Sequence, residues 1–168
     1  MARFVAAGYY DLSSFYTSYI GKHKKGLTES ARPMDHKIRV LELMQDREAS
    51  GVLNEWNSAK ALLHKVGERL KALPASSEIL NAYIRAFSPG SYIDWHDEEV
   101  IDPDGFARIH CLLNPSPSFR LYSGEEMLVP PVWSALGVDH RGLVSVSNFN
   151  APNTAHELVL ETAINVEG

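Results

Sequence analysis

The stretch from Ser88 to His110, SPGSYIDWHDEEVIDPDGFARIH, decides how the rest of the chain is read. Pro89-Gly90 predicts a tight turn, and the aromatic and β-branched residues of Ser91 to His96 predict a strand after it. That strand ends in His96-Asp97-Glu98. Residues i and i+2 of a strand share a face, so His96 and Glu98 project together while Asp97 projects away. An imidazole beside a carboxylate is two-thirds of a 2-His-1-carboxylate site, the arrangement that leaves positions open on Fe(II). The bland alternative is a pair of solvated polar residues. After the acidic turn Asp102-Pro103-Asp104-Gly105, the chain resumes as a second strand pattern, Phe106 to Leu113, with Arg108 and His110 on one face and apolar residues on the other. Opposite the His96/Glu98 pair, a guanidinium and an imidazole suit an acidic ligand, because arginine's planar fork matches a carboxylate.

Working outward, everything after Ile79 reads as short strands divided by turn residues. The candidates are Ile79 to Phe87, Tyr92 to Glu98, Ala107 to Leu113, Phe119 to Tyr122, Met127 to Val129, Val132 to Val138, Leu143 to Phe149 and His156 to Ile164. Strands at this density predict a mainly β barrel or jelly roll. Upstream, Leu53 to Leu73 carries apolar residues at three- and four-residue intervals (Leu53, Trp56, Leu62, Leu63, Val66, Leu70) and charges on the opposite side, which predicts a supporting helix. Asn54 or Ser50 would cap it and Pro74 would stop it, with Trp56 in the core and His64 at the surface. His36 to Met44 predicts a strand flanking the main sheet. Gly21 to Pro33, with Lys22, Lys24 and Lys25, reads as a mobile basic loop. The aromatics before Ile20 are read as core packing.

A chain of 168 residues is long enough for one domain with its own core: residues 1–78 as a support region, 79–168 as the β core. Hydrophobic content of 45% and charged content of 22% are those of an ordinary globular protein, and a net charge of −5 without a basic stripe argues against nucleic acid as a partner. The single cysteine, Cys111, cannot make an internal disulfide. No apolar run approaches membrane-spanning length and no leader pattern opens the chain, so a cytoplasmic setting is expected. Nothing in the sequence fixes the oligomeric state.

Taken together, Tyr83-Ile84-Arg85-Ala86-Phe87, then Pro89-Gly90-Ser91-Tyr92-Ile93, then His96-x-Glu98, then Arg108-x-His110 resembles the aspartyl/asparaginyl β-hydroxylase family and its proline-hydroxylase relatives. The resemblance runs from about Ile79 to the C-terminus and lies in the order and spacing of several motifs. It implies a double-stranded β-helix (a jelly roll, cupin-like) and an Fe(II)/2-oxoglutarate-dependent oxygenase. Such an enzyme uses O₂ to hydroxylate an amino acid, free or in a peptide. It also implies iron on His96 and Glu98, and a 2-oxoglutarate pocket lined by Arg108 and His110. Glu98 stands where the family has aspartate or no carboxylate.

Two histidines compete for the distal metal position. His140 leaves enough chain for two more strands, which closing the β-helix requires, and is preferred; His156 ends a comparable strand pattern but is followed by only twelve residues. The family also carries an arginine beyond the distal histidine that pairs with the far carboxylate of 2-oxoglutarate. Here that position is Asn150 or Val166, and neither pairs with a carboxylate. His156, Arg120 or Arg141 are the candidates to replace it. Two rival readings follow: a cupin-like metalloenzyme that does without 2-oxoglutarate, with His110 joining the metal shell, and a degenerate binding module without turnover.

Overall fold

The computed structural model describes residues 4–70, 76–97, 108–138 and 143–164. The spine of the fold is β5 (Ser76–Asp97), a strand of 22 residues that belongs to two sheets at once. Its first half pairs antiparallel with β3 (Asp35–Gln45) on one edge and β11 (Ala155–Ile164) on the other. Its second half pairs with β10 (Leu143–Ser147) on the edge that β11 has vacated.

Between the halves lies a bend, not the predicted reversal. Pro89 brings no N–H to a ladder, and Gly90 takes φ +85°, a conformation that L side chains rarely adopt. Pairing nevertheless continues through the bend. The Gly90 N–H donates to Asn148 O (3.0 Å), the Asn148 N–H to Ser91 O (2.9 Å) and the buried Asn148 side-chain amide to Phe87 O (2.8 Å). The sequence marked the right dipeptide, but its partner across the sheet makes it a corner and not a turn.

From β5 the first sheet continues through β11, β6 (Arg108–Leu112), β9 (Ser134–Val138) and β1 (Phe4–Tyr9), all antiparallel. The second continues through β10, β7 (Arg120–Ser123) and β8 (Glu126–Leu128). The two sheets face each other, since one cluster of buried side chains draws Phe87, Leu112 and Ala155 from the first and Ile93, Leu121 and Val146 from the second. This is the double-stranded β-helix, mainly β with helical support, that the sequence predicted.

The first sheet buries its other face under helices. Leu63, Val66 and Leu70 of α3 (Asn57–Leu70) pack on Ile84 of β5, Ile109 and Cys111 of β6, and Leu158 and Leu160 of β11. Each such aliphatic side chain contributes roughly 1.5–3 kcal/mol when fully buried. Burial pushes the Cys111 thiol up to about 12, so it packs as a small apolar group. The single predicted helix is two: α2 (Gly51–Asn54), capped by Ser50 Oγ accepting from the Leu53 N–H (3.2 Å), and then α3. Trp56 sits at the joint, stacked on Phe15 (centroids 4.8 Å) and on His23 (4.1 Å), as the short α1 (Ser13–Ser18) is pressed onto it. The predicted end of that helix, residues 71–74, lies outside the described residues.

The basic segment after Gly21 is ordered structure and not a free loop. It completes a π-helical turn (Tyr19–His23), makes a 3-10 turn (Lys24–Gly26), and forms β2 (Thr28–Glu29), which pairs with β3. Leu27, anchored on the core, explains why. Short β4 (Glu48–Ala49) closes the other end of β3. Among the N-terminal aromatics Tyr10, Phe15 and Tyr19 are buried, as expected, and Tyr9 is exposed. Among the described residues, no helix is long and apolar enough to cross a membrane.

Candidate active site

Alternation along three neighbouring strands turns a set of charges into the hollow between the sheets. Ala82, Ile84 and Ala86 of β5 face the helices or lie buried, so Tyr83, Arg85 and Phe87 face inward. On β6 the inward residues are Arg108, His110 and Leu112, and on β11 they are Glu157, Val159 and Glu161. Register sets the partners: Arg85 lies directly across from Glu157, and Val159 directly across from His110.

The result is a buried triad. Arg85 donates through Nε (2.9 Å) and Nη2 (2.5 Å) to Glu157 Oε1, and His110 Nδ1 meets Glu157 Oε2 at 3.0 Å. Arg85, His110 and Glu157 are 4%, 4% and 1% exposed. Burial opposes both charges, but the pairing outweighs it: the Glu157 carboxyl is held at about 2 and the Arg85 guanidinium is raised further. Beside the triad, Arg108 donates from Nε (2.9 Å) and Nη2 (2.6 Å) to Glu161 Oε2, and Asn81 Nδ2 donates to Glu161 Oε1 (3.1 Å). Burial raises the Tyr83 phenol next to them.

His96 faces this wall from the second sheet. Its Nδ1 lies 2.7 Å from Asp94 O, and a carbonyl can only accept, so Nδ1 carries the proton and Nε2 keeps its lone pair. That is the tautomer a metal needs. At 3.4 Å from Nε2 stands Arg32 Nη2. The residue opposite His96 on β10 is Val144, so the neighbouring strand delivers no second ligand at that register. Between His96 and the triad lies a cavity of about 10 Å³, also lined by Arg108, Tyr122 and Ser145, which is room for about one water molecule. Arg85 and Arg108 also form the floor of a much larger cleft of about 550 Å³, whose walls include Arg32, Asp35, Glu42 and Tyr83.

The structure therefore brings together His96, Arg108 and His110 of the residues read from the sequence. Glu98 and His140 lie outside the described residues, as does Arg141. His156 goes elsewhere, because it is one position out of step with Glu157 on β11 and so faces the helices. There its Nδ1 meets the Tyr19 hydroxyl at 3.0 Å and its backbone N–H donates to Asn114 Oδ1 (2.8 Å), while burial, with Lys24 and Arg39 adding to it, lowers its pKa to about 4. It does not line the hollow as a metal or cosubstrate ligand. Arg120 is spent at the rim on the carbonyls of Pro117 and Phe119. Trp95 is on the outer surface against Tyr122, and Tyr92 stacks on His36. Among the described residues no three His, Cys, Asp or Glu side chains cluster as a metal site.

Sequence reading missed Arg85 and Glu157. The signal was present: each is a charge inside an apolar strand run, at the period that shares a face with Phe87 or Val159.

No protein-family profile matches the chain, and no curated protein matches it. Solved structures do. A 2OG-Fe(II) oxygenase family oxidoreductase from Burkholderia pseudomallei superposes with a TM-score of 0.58 at 15% identity, over 83% of this chain and 76% of that one. A Pseudomonas putida prolyl-4-hydroxylase gives 0.53 at 13% identity, over 95% and 91%. The viral collagen prolyl hydroxylase of Paramecium Bursaria Chlorella virus-1, solved as its 2OG complex, gives 0.54 at 12% identity, over 96% and 97%. At such identities the likeness is one of fold: this chain has the double-stranded β-helix that these oxygenases have.

Proposed function

We propose that the chain is a non-haem Fe(II)/2-oxoglutarate-class oxygenase that hydroxylates an amino acid, free or in a peptide. His96, Glu98 and His140 would be its iron ligands. The observation that carries this reading is His96 itself: an imidazole locked by Asp94 O into the metal-binding tautomer, at the mouth of a β-helix hollow that Arg85, Arg108 and His110 also line. Iron, when bound, supplies the redox chemistry that activates O₂. The chain's own part is to orient His96 through the Asp94 carbonyl and to move the Arg32 guanidinium, which also contacts Met34 and Asp35, off Nε2. It also excludes water from the space behind. The cleft above Arg85 and Arg108 is large enough for an amino-acid side chain.

Iron suits what His96 offers, but 2-oxoglutarate does not suit the interior as it stands. Among the described residues, the two guanidiniums that face the hollow are each bonded to an internal carboxylate, and the space between them and His96 has room for about one water molecule. The second reading is a β-helix that binds without turning over. The cupin-like alternative needs His110 on the metal through Nε2, since its Nδ1 is bonded to Glu157.

Purified protein loaded with Fe(II) under argon, then given O₂, 2-oxoglutarate and a library of free amino acids and short peptides, separates these readings. The first expects succinate that requires iron and is lost, by at least about a hundredfold, in His96→Ala. Iron binding without succinate abandons the oxygenase reading for the cupin-like one. Neither iron nor succinate leaves the binding module.

A further inference from the structure

We propose that Glu157 is a built-in occupant of an anion site on Arg85, and that its carboxylate decides whether the barrel interior admits an acidic ligand. The Arg85 side chain is 4% exposed, so an anion must accompany its guanidinium. Glu157 fills that need from the register position directly across the strand pair. It takes Nε and Nη2 together through Oε1 and uses its other oxygen on His110, so the carboxylate is held at both ends. The edge it occupies is the one a small carboxylic acid entering past His96 would grip. With Arg108 matched by Glu161 in the same way, a second carboxylate entering this low-dielectric space meets two neutral pairs and no surplus cation. Replacing Glu157 by glutamine or alanine leaves one buried positive charge between Arg85 and His110: alanine also leaves a void of carboxylate size there, while the neutral glutamine amide gives way to an incoming carboxylate. The ligand class of the opened site is a small mono- or dicarboxylate.

The proposal stands on these interior residues and not on iron or turnover, so it is tested without either. Metal-free native protein, Glu157→Gln and Glu157→Ala are titrated with formate, acetate, succinate and 2-oxoglutarate at constant ionic strength, with chloride as the control. The readouts are thermal unfolding and calorimetric binding. Both variants are expected to melt below the native protein, to recover part of the loss in a saturable way with carboxylates but not chloride, and to bind at least one of the acids at least about tenfold tighter than native. The double variant Arg85→Met/Glu157→Met removes both charges, keeps an apolar filling, and is expected to fold and ignore every acid. Native protein that binds 2-oxoglutarate or succinate as tightly as the variants overturns the proposal. So does a pair of variants that respond to no carboxylate, or a double variant that still responds. If Glu157→Ala does not fold, Glu157→Gln and the double variant carry the test.

Discussion

At residue 156 a single step along a strand separates the hollow from the core beneath the helices. His156 and Glu157 are neighbours, yet one faces the helices with Tyr19 and Tyr16 and the other faces the hollow. Burial keeps the His156 imidazole neutral at a pKa of about 4, against 6.5 for an ordinary histidine, and Lys24 and Arg39 act in the same direction. The Tyr19 phenol, raised by burial, keeps its proton and shares a hydrogen bond with Nδ1. Because the folded value is the lower one, the unfolded chain binds the extra proton. The contribution of His156 is therefore intact above about pH 6.5 and is lost as pH falls towards 4, at a cost of order 3 kcal/mol. Urea unfolding from pH 7 to pH 4 should show this slope, and His156→Gln should flatten it. An equally steep variant would mean that another group titrates. Glu157 acts in a lower window, between its ordinary 4.5 and its folded value of about 2, so the two overlap only near pH 4. Arg108 and His110 were legible as a pair because two-residue spacing puts them on one face whatever the fold does. Arg85 and Glu157 were not, because they are 72 residues apart and only strand register makes them partners.

At the scale of elements the strands could be read and their joints could not. Alternation found each strand of the β core to within a few residues, and the helical stripe of α3 was as clear, since both follow from the local period of apolar residues. Trp56 was rightly placed in the core, but the turn at Pro89-Gly90 and the unbroken helix through Trp56 were misjudged because each is decided by a distant partner: Asn148 holds the first as a corner, and Phe15 with His23 stacks on the second at a helix break. The corner has a measurable cost. A methyl group added at Gly90 meets nothing within 4 Å, so Gly90→Ala tests the backbone conformation alone, free of any clash. The expected loss is roughly 1–2 kcal/mol, the penalty of an L residue in the left-handed region. It would be read as a lower denaturant midpoint at unchanged slope. A variant as stable as the parent would show that the bend relaxes to ordinary extended backbone, and β5 would then be no fixed corner between the sheets.

For the whole molecule, the order in which the chain is laid down differs from the order in which it is packed. The last strand, β11, is not at an edge: it lies between β5 and β6, bonded along its length to both, and supplies Leu158 and Leu160 to the helix layer and Glu157 to the hollow. The first strand, β1, and the early β3 cover the flanks of the same sheet, with β3 itself closed by β2 and β4. Unpaired strand edges are thereby few, which limits association edge to edge, but most stabilising contacts join distant parts of the chain and form late. A chain ending at Thr154 would lose the ladder on two strands, part of the filling of both cores and the Glu157 carboxylate bonded to Arg85. We expect it to have no cooperative unfolding transition and no near-ultraviolet circular dichroism, whereas the full chain unfolds in one step whether followed at Trp56 or by backbone signal. A cooperative transition in the shortened chain would show that the remaining strands hold without their centre. The hollow that carries His96 would then be separable from the strand that carries Glu157, and the two walls of the candidate site could form independently.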